Sequence, residues 1–213
     1  MALHYEILDD TRRTLLPRLI PLKTRFYLAG GTGLALQIGH RESVDFDFFS
    51  RDEFAPDALA RDVAQMLLPQ TIEITQEEPN TLSCVTSGGI RFSFFAYPYP
   101  LVRPLIDEPF LSIASQEDIA AMKLHAVVGR ASMKDYVDLY YLLREKPLAQ
   151  ILALAREKSP RIDPIAIAKG LVYFEDVQAE PLRFRPGFEV DFETVKDLLR
   201  TRVKEYVDSE GST

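Results

Sequence analysis

One feature constrains this chain more than any other: Arg25-Phe26-Tyr27-Leu28-Ala29 runs straight into Gly30-Gly31-Thr32-Gly33, and Asp45-Phe46-Asp47 follows thirteen positions after Thr32. The first run is β-prone and stops at glycine. The stretch Leu34 to Ile38 reads as helix and Gly39 breaks it. Val44–Phe49 then alternates strictly, as a half-buried strand does. The spacing therefore predicts strand, turn, helix, strand. Alternation places Asp45 and Asp47 on one face of the second strand, with Val44, Phe46 and Phe48 on the other. The glycines let backbone N–H groups at a helix start approach an anion closely. Thr32 adds a hydroxyl donor, and two carboxylates on one strand face suit divalent metal ions. Together these residues describe a site for a metal–triphosphate. A hydroxyl would attack the α-phosphorus in line, with metal ions stabilising the attacking and leaving oxygens. Either half alone is more often a plain turn or the polar face of an exposed strand; the combination carries the specificity.

The remainder of the chain reads around this unit. Residues 3–16 predict a helix ended by Pro17. A helix from Pro56 to 68 precedes β-rich runs at Thr71–Thr75 and Thr81–Thr86. Ser87-Gly88-Gly89 then turns the chain into Ile90–Ala96, a hairpin pattern. Tyr97-Pro98-Tyr99-Pro100 cannot continue a central strand. From Ser115 onward the patterning is helical: 115–128 with an acid-containing capping box, 132–144, 148–158, 164–173 and 192–207, with 208–213 expected to fray. In the second of these, Tyr136, Leu139, Tyr140 and Leu143 form an apolar stripe. The class expected is α+β, a mixed sheet with flanking helices in 1–110 followed by a helical C-terminal domain in 111–213.

Composition narrows function. Lys plus Arg number 25 against 32 for Asp plus Glu, a net charge of −7 that opposes sequence-independent coating of nucleic acid. A single cysteine, Cys84, excludes an intramolecular disulfide or a multi-cysteine zinc site and fits a reduced, cytoplasmic setting. Cys84 itself reads as a small buried hydrophobe. No apolar run reaches the length that spans a bilayer, and Glu6, Asp9 and Asp10 interrupt any signal-peptide pattern. Residues 123–146 hold five basic and three acidic side chains, a local excess of +2 that suits a triphosphate or an RNA end. Within it Lys123 and Arg130 share a helix face if the helix holds through Gly129, whereas Lys134 and Asp138 are spaced to pair on the surface. Arg41 lies within reach of a phosphate. Ser43 reads as a cap to the turn, and His40 and His125 as structural. Tyr97 and Tyr99 have faces that can stack a base, with hairpin packing the plainer role. The basic residues near the C-terminus, Arg183 to Lys204, are diluted by acids and read as a solvated face.

Gly30-Gly31-Thr32 with Asp45-Phe46-Asp47 resembles the signature of the polymerase-β-like nucleotidyltransferase superfamily. More closely, residues 26–50 and 121–143 (AMKLHAVVGRASMKDYVDLYYLL) resemble the AbiEii/AbiGii-type nucleotidyltransferases, which include toxins of abortive-infection and toxin–antitoxin systems. The resemblance implies a nucleotidyltransferase core and transfer of NMP from NTP to an acceptor, with tRNA the acceptor and a cognate antitoxin the control suggested by analogy. It implies Gly30, Gly31 and Thr32 as phosphate binders and Asp45 and Asp47 as Mg²⁺ (or Mn²⁺) ligands. Lys123 and Asp138 match the later active-site Lys and Asp, with Arg130, Lys134 and Asp135 in the same segment. Lys123 and Arg130 would add nucleotide contacts. One position departs from the superfamily pattern. Where many members carry a third carboxylate on a later strand, Ile90–Phe95 places Ser93. A serine cannot act as a carboxylate base. Either the acceptor is deprotonated through Asp45, Asp47 or water, or activity is weak, or Asp135 or Asp138 supplies the charge. A small-molecule nucleotidyltransferase and a catalytically weak nucleotide-binding module are the two alternatives.

Overall fold

The computed structural model of the chain describes residues 2–130, 132–177 and 179–211. It divides into two compact units, Met1–Ser115 and Gln116–Thr213.

The first unit is built on one seven-stranded sheet. Its elements are α1 (Asp10–Leu15), β1 (Tyr27–Leu28), α2 (Gly30–Ile38), β2 (Phe46–Ser50), α3 (Pro56–Met66), β3 (Ile72–Glu78), β4 (Thr81–Thr86), β5 (Arg91–Ala96), β6 (Ile106–Asp107) and β7 (Ser112–Ile113). The strand order is β3-β4-β5-β2-β1-β7-β6. Pairing is parallel between β2 and β5 and between β1 and β7, and antiparallel elsewhere, so the sheet is mixed. Because β7 pairs with β1 through Leu28 and Ile113, Leu111–Ser115 goes with this unit. A cut after residue 110 therefore passes between β6 and β7.

The alternation of β2 settles what each face does. Phe46 and Phe48 are buried and stack on Phe92 and Phe94 of β5, with ring centroids 5.2 and 5.4 Å apart for Phe46–Phe92 and Phe48–Phe94. Phe26 meets Phe94 edge-on at 5.3 Å. Leu59, Ala60 and Val63 of α3 are buried with the same cluster. Fully burying one such ring contributes about 1.5–3 kcal/mol relative to leaving it in water, which pins the register of β2 against β5. A slip of one residue would turn Asp47 into the core.

Two local expectations are corrected. β2 begins at Phe46, so Asp45 precedes the strand and Val44 is 49% exposed rather than on the core face. At the N-terminus Pro17 does not end the helical path. Tyr5–Ile7 and Leu16–Thr24 are 3₁₀ segments flanking the short α1, with Pro17 in the first turn of the second one and Pro21 inside it. A 3₁₀ path accommodates proline at its start, where the missing N–H has no partner to lose. The apolar side chains Leu15, Leu16, Leu19 and Leu22 hold this segment on the core.

The second unit is helical: α4 (Gln116–Gly129), α5 (Met133–Glu145), α6 (Leu148–Lys158), α7 (Pro164–Val172) and α8 (Phe192–Glu210). Asp163 and Asp191 cap α7 and α8 through Ile165 N and Thr194 N. Of the α5 stripe, Tyr136, Leu139 and Leu143 are buried and Tyr140 is half-buried under Arg144. The cations of α8 pair with neighbouring acids, as Lys196 does with Glu193, Arg200 with Asp197 and Arg202 with Glu205, but Lys196 also packs on Phe174 and Phe192 and Arg202 donates to the Leu143 carbonyl, so the face is only partly solvated. The helix continues through Glu210, beyond the expected end, and Ser212 and Thr213 lie outside the described residues. No helix among the described residues is long and apolar enough to cross a membrane.

Candidate active site

The glycine turn joins β1 to α2. Ala29 N donates to the carbonyl of Asp47, which stitches the turn to β2. Gly30 opens α2 with φ +61°, a left-handed conformation that L side chains rarely adopt. A Cβ at Gly30 would stand 2.7 Å from Asp47 Oδ2, and one at Gly31 would stand 2.5 Å from Arg41 Nη2. Backbone conformation therefore favours glycine at Gly30, and a Cβ at either glycine would displace the neighbouring Asp47 or Arg41 side-chain end. No side chain caps the start of α2 among the described residues, so its first amides form a ready anion site.

Asp45 and Asp47 flank Phe46 and are both half-buried, while their neighbours Ser43 and Phe46 are buried. Thr32 is 1% exposed; its hydroxyl donates to the backbone carbonyl of Asp45 and shares a 2.8 Å hydrogen bond with Ser43 Oγ. That differs from the expected hydroxyl contact with phosphate. The side chain of Thr32 is committed to holding the Asp45 backbone, and Ser43 belongs to the same lock rather than to a free turn. A second brace comes from a residue that the sequence did not single out. Arg12 Nε donates to Val44 O at 2.7 Å, and its guanidinium is clamped by Asp9. Nothing local signals this contact, because it links positions 12 and 44.

Ser93 stands directly beside Asp47 in the parallel β2–β5 register, and Ser83 stands beside Ser93 in β4–β5. Both serines are buried. The sheet position next to Asp47 thus carries a hydroxyl, and no group of three or more His, Cys, Asp or Glu side chains able to hold a metal occurs among the described residues. Two carboxylates still fit Mg²⁺, a hard cation that commonly takes one or two protein carboxylates and completes its shell with water and substrate phosphates.

Tyr97 packs edge-on against Phe49 at 5.7 Å and Tyr99 lies 4.7 Å from Tyr97, so both join the aromatic packing beyond the end of β5. Cys84 is fully buried opposite Phe92, and burial pushes its thiol up to about 11, which leaves it unreactive. His40 is fully buried, in keeping with a structural role.

The later Lys and Asp form a cluster inside the second unit. Lys123 Nζ lies 2.8 Å from Asp135 Oδ1 and 2.7 Å from Asp138 Oδ2, and all three side chains are 5% exposed or less. Arg130 Nε reaches Asp135 Oδ2 at 2.7 Å from a side chain 62% exposed. Because α4 holds through Gly129, Lys123 and Arg130 do share a face, and both meet the same carboxylate. The surface pair of Lys134 with Asp138 does not form. Packing of α5 on α4 turns Asp138 inward, fully buried, onto Lys123. Burial pushes the Asp135 carboxyl up, but Lys123 and Arg130 outweigh it and hold the group below its ordinary value. A second buried pair, Lys158 with Asp118 at 2.7 Å, ties α6 to α4 and was not legible in either segment alone.

A mixed sheet carrying a glycine turn at a helix start, with two carboxylates on and beside the adjoining strand, defines a nucleotidyltransferase-type core. The profile of the family described as "Nucleotidyl transferase AbiEii toxin, Type IV TA system" matches residues 14–209, and the chain belongs to that family. It is 36% identical over 190 residues to the Aquifex aeolicus (strain VF5) protein aq_aa25, covering 86% of this chain and 89% of that one. Among solved structures it is similar in fold to the nucleotidyltransferase toxin MenT4 of Mycobacterium tuberculosis H37Rv (TM-score 0.60, 16% identity, 91% of this chain and 81% of that one). JHP933 from Helicobacter pylori is similar as well (TM-score 0.57, 16% identity, 99% and 97%). The protein is thus a nucleotidyltransferase of the AbiEii toxin family.

Proposed function

We propose that the chain transfers a nucleoside monophosphate from an NTP to an acceptor nucleophile in a Mg²⁺-dependent reaction, with tRNA as acceptor and a cognate antitoxin as its control. The observation that carries the nucleotide half is the approach of Gly30 to Asp47, which sets a bare helix start and a carboxylate side by side. In this reading the first amides of α2, including the backbone N–H of Thr32, receive the β- and γ-phosphates. Asp45 and Asp47 hold the Mg²⁺, which supplies charge stabilisation to the attacking and leaving oxygens when bound. Thr32, Ser43 and Arg12 keep Asp45 in place. By the family resemblance Lys123 offsets leaving-phosphate charge, Arg130 adds a nucleotide contact and Asp138 is the later active-site acid, paired with Lys123.

The alternative of a catalytically weak nucleotide binder draws support from one observation, Ser93 beside Asp47. Both are tested with α-labelled NTPs, Mg²⁺, total RNA and total protein. The expected result is label in the tRNA fraction with wild type and none with Asp47→Asn. The same variant loses Mg²⁺-dependent NTP affinity while its melting temperature stays or rises, because removing one of two neighbouring anions relieves repulsion. Metal-dependent NTP binding without transfer to any acceptor selects the binder. Absence of both binding and transfer overturns the proposal.

A further inference from the structure

Given the proposed NTP site, on which this inference rests, we propose that Arg41 is the residue that carries the triphosphate's charge at the glycine turn, opposite the metal end.

The two glycines have different neighbours. The Cβ direction of Gly30 points at Asp47 Oδ2, and that of Gly31 points at Arg41 Nη2, with Ser43 Oγ 3.4 Å from the same point. An anionic wall and a cationic wall thus flank consecutive residues of one helix start. A polyphosphate lying along the turn would have the Asp47 carboxylate on its Gly30 side and the guanidinium on its Gly31 side. Arg41 is only 4% exposed, so its charge acts across protein rather than water and is little screened by salt. It also sits against the positive end of α2, where the helix dipole disfavours a cation and favours an anion between them. Its Nη1 donates to the Glu42 carbonyl at 3.1 Å, which fixes the fork on a short tether next to the turn. Arginine suits the task, since its planar donors match phosphate oxygens in pairs and its charge does not titrate.

The test uses the full chain and titrates Mg²⁺ with a non-hydrolysable NTP analogue and, separately, with the corresponding NMP. Arg41→Gln is expected to weaken the triphosphate about 10- to 100-fold while changing the monophosphate less than about threefold, with the melting temperature held within a few degrees. Arg41→Lys, which keeps the charge but not the fork, is expected to fall between the two. Gly31→Ala, which displaces the guanidinium without removing it, is expected to show the same selective loss. If Arg41→Gln does not fold, Arg41→Lys and Gly31→Ala decide. Equal triphosphate affinity in the variants and wild type overturns the inference, as does a parallel loss of both ligands together with stability. Wild type that binds no NTP at all overturns the functional reading instead.

Discussion

Each unit carries a pair of aspartates that the family resemblance points to, and the two pairs are treated in opposite ways. In the first unit Asp45 and Asp47 are half-buried beside an uncapped helix start. In the second, Asp135 and Asp138 are buried and held within 2.8 Å of Lys123. The same side chain is half-exposed, and in the proposed reading a metal ligand, in one place and part of an internal ion lock in the other. The difference lies in what the neighbouring backbone supplies. Glycines and amides without a side-chain cap leave the helix start open to an anion. Close packing of α4 on α5 supplies a resident cation and closes the space.

The largest test of this contrast is Lys123→Ala, which leaves two buried carboxylates facing each other without their shared cation. A destabilisation of about 3–5 kcal/mol is expected in urea unfolding. A loss below about 1 kcal/mol would mean that the cluster does not lock the helices. The same cluster sets an acid limit. Because the Asp135 carboxyl is held below its ordinary 3.8, its contribution is fully present above that pH and is lost as pH falls through the lower folded value. Asp135→Asn is expected to flatten the acid limb of a stability–pH curve, and an unchanged limb would assign it elsewhere.

Gly30→Ala probes the first unit. A left-handed alanine costs about 1–2 kcal/mol, and its Cβ pushes on Asp47 Oδ2, so NTP affinity should fall together with stability. The smallest effect sharpens the comparison from the other side. Ser93→Asp adds a carboxylate at a buried position beside Asp47 and should lower metal-free stability through desolvation and repulsion while tightening Mn²⁺ binding by calorimetry. Unaltered Mn²⁺ affinity would show that the position beside Asp47 does not share its ligand.

Much of this was legible locally. The glycine turn, the alternation that buries Phe46 and Phe48 and turns Asp47 away from them, and the hairpin of β4 and β5 all depend on residues close in sequence. Val44 is exposed and Asp45 lies outside the strand because the alternation runs two residues further than the ladder, which begins at Phe46. Val44 and Asp45 are instead fixed by Arg12 and Thr32, which hydrogen-bond their carbonyls. The position of Thr32 at the glycine turn is legible, but the partners of its hydroxyl, Ser43 and the Asp45 carbonyl, are not.

The sequence by itself determined the strand, turn, helix, strand order around the glycines and the separation of Asp47 from the phenylalanine core. Periodicity and backbone freedom are properties of neighbouring residues, so they can be read along the chain. Only the tertiary structure decided that Arg41 lies against Gly31, that Ser93 stands level with Asp47, and that Lys123 is shared by two buried aspartates. Those facts depend on strand register and helix packing, which bring together groups 10 to 46 positions apart. Burial then makes each such contact strong, because it removes the water that would otherwise compete.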